Sequence, residues 1–143
     1  MDAGGHPEDL TGRRILVVDD DEDVRTYLTT LLEDAGAEVF AVADGDAALD
    51  AARVVHPDLI TLDLSMPGKD GAEVLAELRA DEAVAEIPVC IITGKPELRR
   101  LIYDRPVAPP EGFMTKPIDP RRLLADLRRI LYLADRKRHR YLA

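Results

Sequence analysis

The stretch Ile15-Leu16-Val17-Val18-Asp19-Asp20-Asp21 joins four apolar residues directly to three carboxylates. A short and wholly apolar run is typical of a strand that is buried on both faces of a sheet. Between Val24 and Ala35, apolar residues recur at steps of three and four, which predicts a helix with one apolar face. Gly36 follows and suits the left-handed position after a helix end. The first unit is therefore predicted as a strand, an acidic turn and a helix.

The same alternation of a short apolar run and a helical pattern recurs four more times. Further strands are predicted at residues 39–43, 59–62, 89–92 and 112–115. Helices are predicted at residues 47–55, 74–78, 97–103 and 119–134, the last with Asp119 as its N-cap and Pro120 as its first helical residue. Five such units predict an α/β fold with a parallel sheet, helices on both faces and right-handed crossovers.

Length and composition limit the class of protein. A chain of 143 residues with 46% hydrophobic residues fits one globular domain. The formal net charge of −9 argues against a general nucleic-acid-binding surface, so we expect no nucleic-acid partner. The single cysteine excludes an intrachain disulfide and a multi-cysteine zinc site.

Neither a membrane span nor a secretion signal is predicted from this sequence. No apolar run approaches the roughly 18 residues that span a bilayer, and the first residues lack the basic and apolar regions of a secretion signal. We therefore expect a cytoplasmic protein without a membrane partner. Residues 1–11 are predicted as a loose leader, residues 12–134 as the domain, and residues 135–143 as a basic tail at the end of the last helix.

Polar residues follow four of the five predicted strands. Strand one ends in Asp19-Asp20-Asp21, strand three in Asp63, strand four in Thr93 and strand five in Lys116. In open α/β sheets, ligands bind outside the carboxyl ends of the strands. We therefore expect carboxylates, a hydroxyl and an ammonium group to converge on one crevice.

This set of groups suits phosphoryl chemistry with a metal ion. Closely packed carboxylates repel each other, and a divalent cation relieves that repulsion. Oxygen ligands favour a hard ion such as Mg²⁺. One carboxylate can act as a nucleophile toward phosphorus, while Lys116 and Thr93 can neutralise and hydrogen-bond the transferred oxygens.

With these motifs in this order, the chain resembles the receiver domains of two-component response regulators, in particular stand-alone receivers of the chemotaxis-regulator kind. The residues that carry the resemblance lie in four runs, 15–21, 62–71, 91–94 and 113–117. The resemblance implies a flavodoxin-like doubly wound (βα)5 sandwich of three layers, with a five-stranded parallel sheet in the order 2-1-3-4-5.

The resemblance also implies roles for residues around the acceptor. Asp63 would accept a phosphoryl group from a histidine kinase or a histidine phosphotransfer protein. Asp20 would bind Mg²⁺ directly and Asp19 mainly through water. Ser65 would contribute its backbone carbonyl to the metal.

The switch residues follow from the same resemblance. Thr93 and Lys116 would contact the phosphoryl oxygens, and Lys116-Pro117 would carry a cis peptide bond. Phe113 would change rotamer with Thr93 and so remodel the face made by helix four, strand five and helix five.

The segment between strands four and five departs from the family pattern. Residues 104–111 include Pro106, Pro109 and Pro110, which cannot continue a helix. Helix four should therefore be short or displaced. This puts in doubt the usual output face of the family and any homodimer built on it.

We expect a phosphorylation-activated switch that is not an enzyme beyond its own phosphoryl transfer and dephosphorylation. Its effect would pass to a downstream protein, or it would hand the phosphoryl group onward in a relay. Two alternatives stay open at this stage. One is a degenerate receiver that acts as a binding module. The other is an aspartate-nucleophile phosphatase of the haloacid dehalogenase type, although Asp23 departs from the first motif of that family and the chain lacks room for a cap domain.

Overall fold

The computed structural model describes the backbone of residues 9–142 and the side chains of residues 9–139. Strands and helices alternate as the sequence predicts. The strands are β1 Arg14–Val18, β2 Glu38–Val42, β3 Leu59–Leu62, β4 Val89–Thr93 and β5 Gly112–Thr115. The helices are α1 Glu22–Asp34, α2 Gly45–Val55, α3 Gly71–Ala80, α4 Arg100–Tyr103 and α5 Pro120–Leu142.

The strands form one parallel sheet in the order β2-β1-β3-β4-β5. Val17 of β1 lies beside Thr61 of β3, which in turn lies beside Cys90 of β4. The predicted flavodoxin-like fold and strand order are thus confirmed. Apart from the partly buried Arg14, the residues of the three central strands are buried, because helices cover both sides of the sheet.

Each face of the sheet carries its own apolar cluster. Leu16 and Val18 point to the face covered by α2 and α3, where Ala52, Val74 and Leu75 pack. Alternate residues of β1 point to the opposite face, which is covered by α1 and α5. The residues packed there include Ile15, Val17, Leu28, Leu32, Leu123 and Leu127.

Aspartate side chains start the helices that follow the strands. Asp21, Asp44 and Asp70 accept hydrogen bonds from backbone N–H groups of the first turns of α1, α2 and α3. Asp119 does the same for α5, accepting from the N–H groups of Arg121 and Arg122 at 3.1 and 3.3 Å, which confirms the predicted N-cap.

Helix four is short, as the prolines predict. A 3-10 turn at Pro96–Arg99 leads into only four residues of α-helix. The proline-rich segment that follows, residues 104–111, is anchored by Arg79 of α3, whose side chain is only 7% exposed. The Arg79 guanidinium donates to Glu111 and to four backbone carbonyl oxygens, those of Ala85, Ile87, Ala108 and Pro109.

The predicted domain boundaries fall near both ends of the described chain. Residues 1–8 of the predicted leader and Ala143 of the predicted tail lie outside the described residues. Leu10 is buried, and its N–H donates to the carbonyl of Ala35 at 2.8 Å. The helix α5 continues through the described part of the predicted tail. The boundaries at residues 11 and 134 stay predictions. None of the helices in the described part of the chain is long and apolar enough to cross a membrane.

Candidate functional site

The carboxyl ends of four strands bring the predicted site residues to one edge of the sheet. Asp19 follows β1, Asp63 follows β3, Thr93 ends β4 and Lys116 follows β5. The Lys116 ammonium nitrogen lies 3.0 Å from one oxygen of Asp19 and 3.6 Å from one oxygen of Asp63. The parallel arrangement of the strands explains this convergence, because all their carboxyl ends point the same way.

Three carboxylates form a compact group at this edge. One oxygen atom from each of Asp19, Asp20 and Asp63 lies within 4.8 Å of the others. Asp19 and Asp63 are 2% and 4% exposed, whereas Asp20 is exposed. An oxygen-only set with one side open to solvent fits Mg²⁺, which prefers oxygen ligands and keeps several waters. The donor set therefore fits the metal that the resemblance implies.

The acidic run after β1 divides into two functions. Asp19 and Asp20 contribute to the carboxylate group, whereas the side chain of Asp21 caps α1 by accepting from the N–H groups of Asp23 and Val24. One oxygen of Asp19 accepts from the N–H of Asp21 at 2.9 Å. The turn of residues 19–21 is therefore held by hydrogen bonds to Asp19 and Asp21 without a metal ion.

Asp63 is held by the loop between β3 and α3. One of its oxygens accepts from the N–H of Ser65 at 3.1 Å, and the other faces Lys116. Gly71, the first residue of α3, packs against the backbone of this loop. A Cβ atom at Gly71 would lie 2.2 Å from the carbonyl oxygen of Asp63, so only glycine allows this approach.

The surroundings of Asp63 and Lys116 shift both pKa values upward. Burial is the largest cause that raises the pKa of Asp63, and the charges of Asp19 and Asp20 add to it. The Ser65 N–H and the Lys116 charge act against this shift. Burial alone would lower the pKa of Lys116, but its hydrogen bond to Asp19 and the nearby carboxylates raise it overall. Lys116 is therefore a lasting positive charge beside a carboxylate of increased basicity.

Thr93 of β4 lies beside Thr115 of β5, and Phe113 lies two residues earlier on β5, beside Ile91. Thr93 is fully buried, and its hydroxyl oxygen accepts from the N–H of Lys95 at 3.0 Å. Phe113 is half-buried, and the guanidinium carbon of Arg99 lies 4.6 Å from the centre of its ring. The Lys116-Pro117 peptide is cis, as the resemblance implies.

Two contacts of this region were missed by sequence reasoning. Arg25 of α1 donates to the backbone carbonyl of Asp19, and Arg99 stacks on Phe113. A signal for Arg25 exists in the sequence. A cation near the start of a helix is unfavourable because it opposes the helix dipole. An arginine at this position therefore indicates a contact outside the helix.

A family comparison matches most of the chain. The model for the response regulator receiver domain matches residues 15–128. This range includes every residue that the sequence predicts for the site.

Curated relatives match with moderate identity. The chain is 36% identical over 120 residues to the DNA-binding response regulator MtrA of Mycobacterium tuberculosis, covering 84% of this chain and 51% of that protein. It is 37% identical over 119 residues to the alkaline phosphatase synthesis transcriptional regulatory protein PhoP of Bacillus subtilis, covering 83% and 48%. The chain thus spans about half the length of these relatives. Because MtrA is named as DNA-binding, these comparisons do not support the expectation of no nucleic-acid partner.

Solved structures share the fold. The chemotaxis protein CheY4 of Vibrio cholerae aligns with a TM-score of 0.74 and 32% identity, covering 82% of this chain and 98% of that chain. A sensor protein from Polaromonas sp. JS666 aligns with a TM-score of 0.79 and 26% identity, covering 86% and 98%. Both alignments show that the fold of this chain is shared with these proteins.

Proposed function

This chain belongs to the family of response regulator receiver domains, and we propose that it is a phosphorylation-activated switch whose acceptor is Asp63. The observation that carries the proposal is the position of Asp63. Its buried carboxylate lies close both to the Lys116 ammonium group and to the carboxylates of Asp19 and Asp20. An aspartate with a purely structural role does not require two further carboxylates and an ammonium group beside it.

The chemistry starts with an oxygen of Asp63. This oxygen attacks the phosphorus of a phosphohistidine, an O–P bond forms, and the P–N bond breaks with its electron pair leaving on the imidazole. Lys116 is close enough to Asp63 to bind the arriving phosphoryl oxygens, and the Thr93 hydroxyl is the second donor. Burial favours the reaction because it raises the basicity of the Asp63 carboxylate.

Asp19, Asp20, Asp63 and the backbone carbonyl of Ser65 are the groups that would hold Mg²⁺. A bound Mg²⁺ supplies positive charge that neutralises the carboxylates and the phosphoryl oxygens. Lys116 already balances part of this charge through Asp19. The remaining carboxylate charge supports a requirement for a divalent cation.

Activation would begin when the Thr93 hydroxyl turns from the N–H of Lys95 toward the phosphoryl group. Phe113, the switch aromatic of this proposal, would then move from beneath Arg99. The short α4 and its preceding turn lie on this path, since Lys95 and Arg99 belong to that segment. This supports a change centred on residues 94–113.

The phosphodonor in this proposal is a histidine kinase or a histidine phosphotransfer protein. The target is a downstream protein, and a second copy of this chain is a further partner. The receiver domain is assigned to residues 12–134 and the location to the cytoplasm. Catalysis is limited to the chain's own phosphoryl transfer and dephosphorylation. Binding to DNA through another part of a longer protein is compatible with this assignment.

Intact-mass spectrometry with acetyl phosphate tests the proposal. We expect one phosphoryl adduct in the presence of Mg²⁺ and none in excess chelator. Asp63→Asn should abolish the adduct. Asp70→Asn is the matched control, because Asp70 lies in the same loop and asparagine also caps helices.

Other outcomes would favour the two alternatives. An undiminished adduct in Asp63→Asn would remove Asp63 as the acceptor. No adduct with acetyl phosphate or with a phosphorylated kinase would indicate a degenerate binding module. Steady turnover of a phosphate ester would indicate a phosphatase of the haloacid dehalogenase type.

A further inference from the structure

Arg25 makes a contact with the backbone beside the three carboxylates, and the proposed chemistry does not use this contact. Its guanidinium nitrogen Nη1 lies 2.8 Å from the backbone carbonyl oxygen of Asp19. The side chain reaches back from α1 across six positions of the chain and is half-buried. An arginine that only faced solvent on the surface of the helix would not make this hydrogen bond.

The contact falls on the peptide that joins Asp19 to Asp20. Asp19 itself is fixed by other groups, because Lys116 and the N–H of Asp21 hold its two oxygens. Asp20 is the exposed member of the group. The placement of its carboxylate therefore depends on the orientation of the peptide before it, which Arg25 restrains.

We propose that Arg25 is a positioning residue for the metal site, fixing the Asp19–Asp20 peptide so that the Asp20 carboxylate faces Asp19 and Asp63. The inference rests on the proposed function, since it needs the carboxylates to bind a divalent cation. Groups that orient metal ligands without touching the metal typically change metal affinity by about 10- to 100-fold when removed.

A purely electrostatic role for Arg25 predicts the opposite sign. Removing a positive charge near a cation site should strengthen the binding of Mg²⁺, because the charges repel. Removing a positioning contact should weaken it. The direction of the change in the variant Arg25→Gln therefore separates the two roles.

The experiment is a titration of the full chain with MgCl₂ by isothermal calorimetry at constant ionic strength, well below the unfolding temperature. Arg25→Gln should bind Mg²⁺ roughly tenfold more weakly than the unchanged chain. Arg25→Lys keeps the charge and one possible donor, so it should recover part of the loss. Arg53→Gln is the charge-matched control, because Arg53 pairs with Asp81 at the end of α3, away from the carboxylates. Its affinity should change less than about twofold.

Three outcomes would overturn the inference. Equal or tighter binding by Arg25→Gln would leave only a charge effect or no effect. Equal weakening in Arg25→Gln and Arg53→Gln would show that the loss does not depend on the contact between Arg25 and the Asp19 carbonyl. No binding by the unchanged chain would overturn the metal requirement of the proposed function first and the inference with it.

Discussion

Thr61 places a hydroxyl group in the middle of the sheet without a partner. Its side-chain oxygen is buried and makes no hydrogen bond within the described part of the chain. Its strand neighbours Val17 and Cys90 offer no side-chain oxygen. An unpaired buried hydroxyl lowers the free energy of unfolding by about 1–3 kcal/mol. The branched shape of Thr61 therefore fits the sheet, but its hydroxyl contributes no hydrogen bond.

Thr61→Val should therefore stabilise the protein. Valine keeps the volume and the branched shape and removes the unpaired hydroxyl, so the free energy of unfolding should rise by about 1 kcal/mol. Urea denaturation measures this change. Thr30→Val on the exposed face of α1 is the control and should change little. A loss of stability in Thr61→Val would mean that the hydroxyl has a partner.

The second prediction at the residue scale concerns Asp63 and pH. The pKa of Asp63 is raised in the folded protein, chiefly by burial. A raised pKa of an acid means that its contribution to stability is full below the unfolded pKa of about 3.9 and is lost as the pH rises through the folded pKa. In chelator at pH 7, Asp63→Asn should therefore be more stable than the unchanged chain.

This difference should narrow as the pH falls toward about 4, because Asp63 then gains its proton. Denaturant unfolding at several pH values in chelator measures it. Asp70→Asn is the matched control, because it makes the same substitution in the same loop at the N-cap of α3. If Asp63→Asn were equally or less stable at pH 7, the ion pair with Lys116 would outweigh the cost of burying the carboxylate.

At the scale of elements, Arg79 supplies hydrogen-bond donors to the segment that follows the short α4. The segment 104–111 has no helical hydrogen bonds to satisfy its carbonyl groups, and Arg79 donates to those of Ala108 and Pro109. The same side chain also pairs with Glu111, which accepts from the N–H of Val89 at the start of β4. One arginine thus joins α3, the proline-rich segment and the sheet.

Arg79→Met should lower the free energy of unfolding by about 2–4 kcal/mol, because it removes five hydrogen bonds, two of which go to the half-buried carbonyl groups of Ala85 and Ile87. Amide exchange should become faster around residues 105–111. Arg53→Met, at an exposed position of α2, is the control. Because Arg79 does not contact the acceptor site, the Mg²⁺-dependent adduct should still form. An unchanged stability would show that water replaces the guanidinium without loss.

The elements themselves could be predicted from the sequence with good accuracy. Each predicted strand begins within one residue of the observed strand, because the strands of this sheet are short and mostly apolar. The short α4 also followed from composition, since three prolines cannot enter a helix. Asp119 was recognised as an N-cap for a similar local reason.

Contacts between distant parts of the chain could not be predicted in this way. Leu10 stands alone among polar residues, so no periodicity marks it as part of the core. Arg79 finds carbonyl groups up to 30 positions away, which local patterns cannot specify. Asp63 and Lys116 could be predicted to lie in one crevice only because the carboxyl ends of parallel strands meet at the same edge of the sheet. The contact of Arg25 with Asp19 depends on a side-chain conformation, which the sequence does not show.

At the scale of the whole molecule, rigid and adaptable parts lie side by side. The central strands are buried on both faces, whereas the turn before α4 has no buried residue and α4 has only Ile102. Regions with few buried contacts open at low free energy. A charge event at Asp63 should therefore be transmitted toward residues 94–113 rather than into β1 and β3.

Phosphorylation of Asp63 should accordingly change amide exchange at residues 94–113 and leave β1 and β3 nearly unchanged. Lys116 is the link, because it contacts Asp63 and Asp19 through its side chain and the carbonyl of Thr93 through its N–H. Lys116→Ala should still accept the phosphoryl group, more slowly, while the exchange of residues 94–113 stays as in the unphosphorylated chain.

Hydrogen exchange read by mass spectrometry, with the adduct measured on the same sample, checks both halves of this prediction. Lys137→Ala at the exposed end of α5 is the control and should respond like the unchanged chain. A full exchange response in phosphorylated Lys116→Ala would mean that Thr93 alone transmits the change. A response spread evenly over the sheet would mean that the two apolar clusters move together, and the division into a rigid core and an adaptable edge would then be wrong.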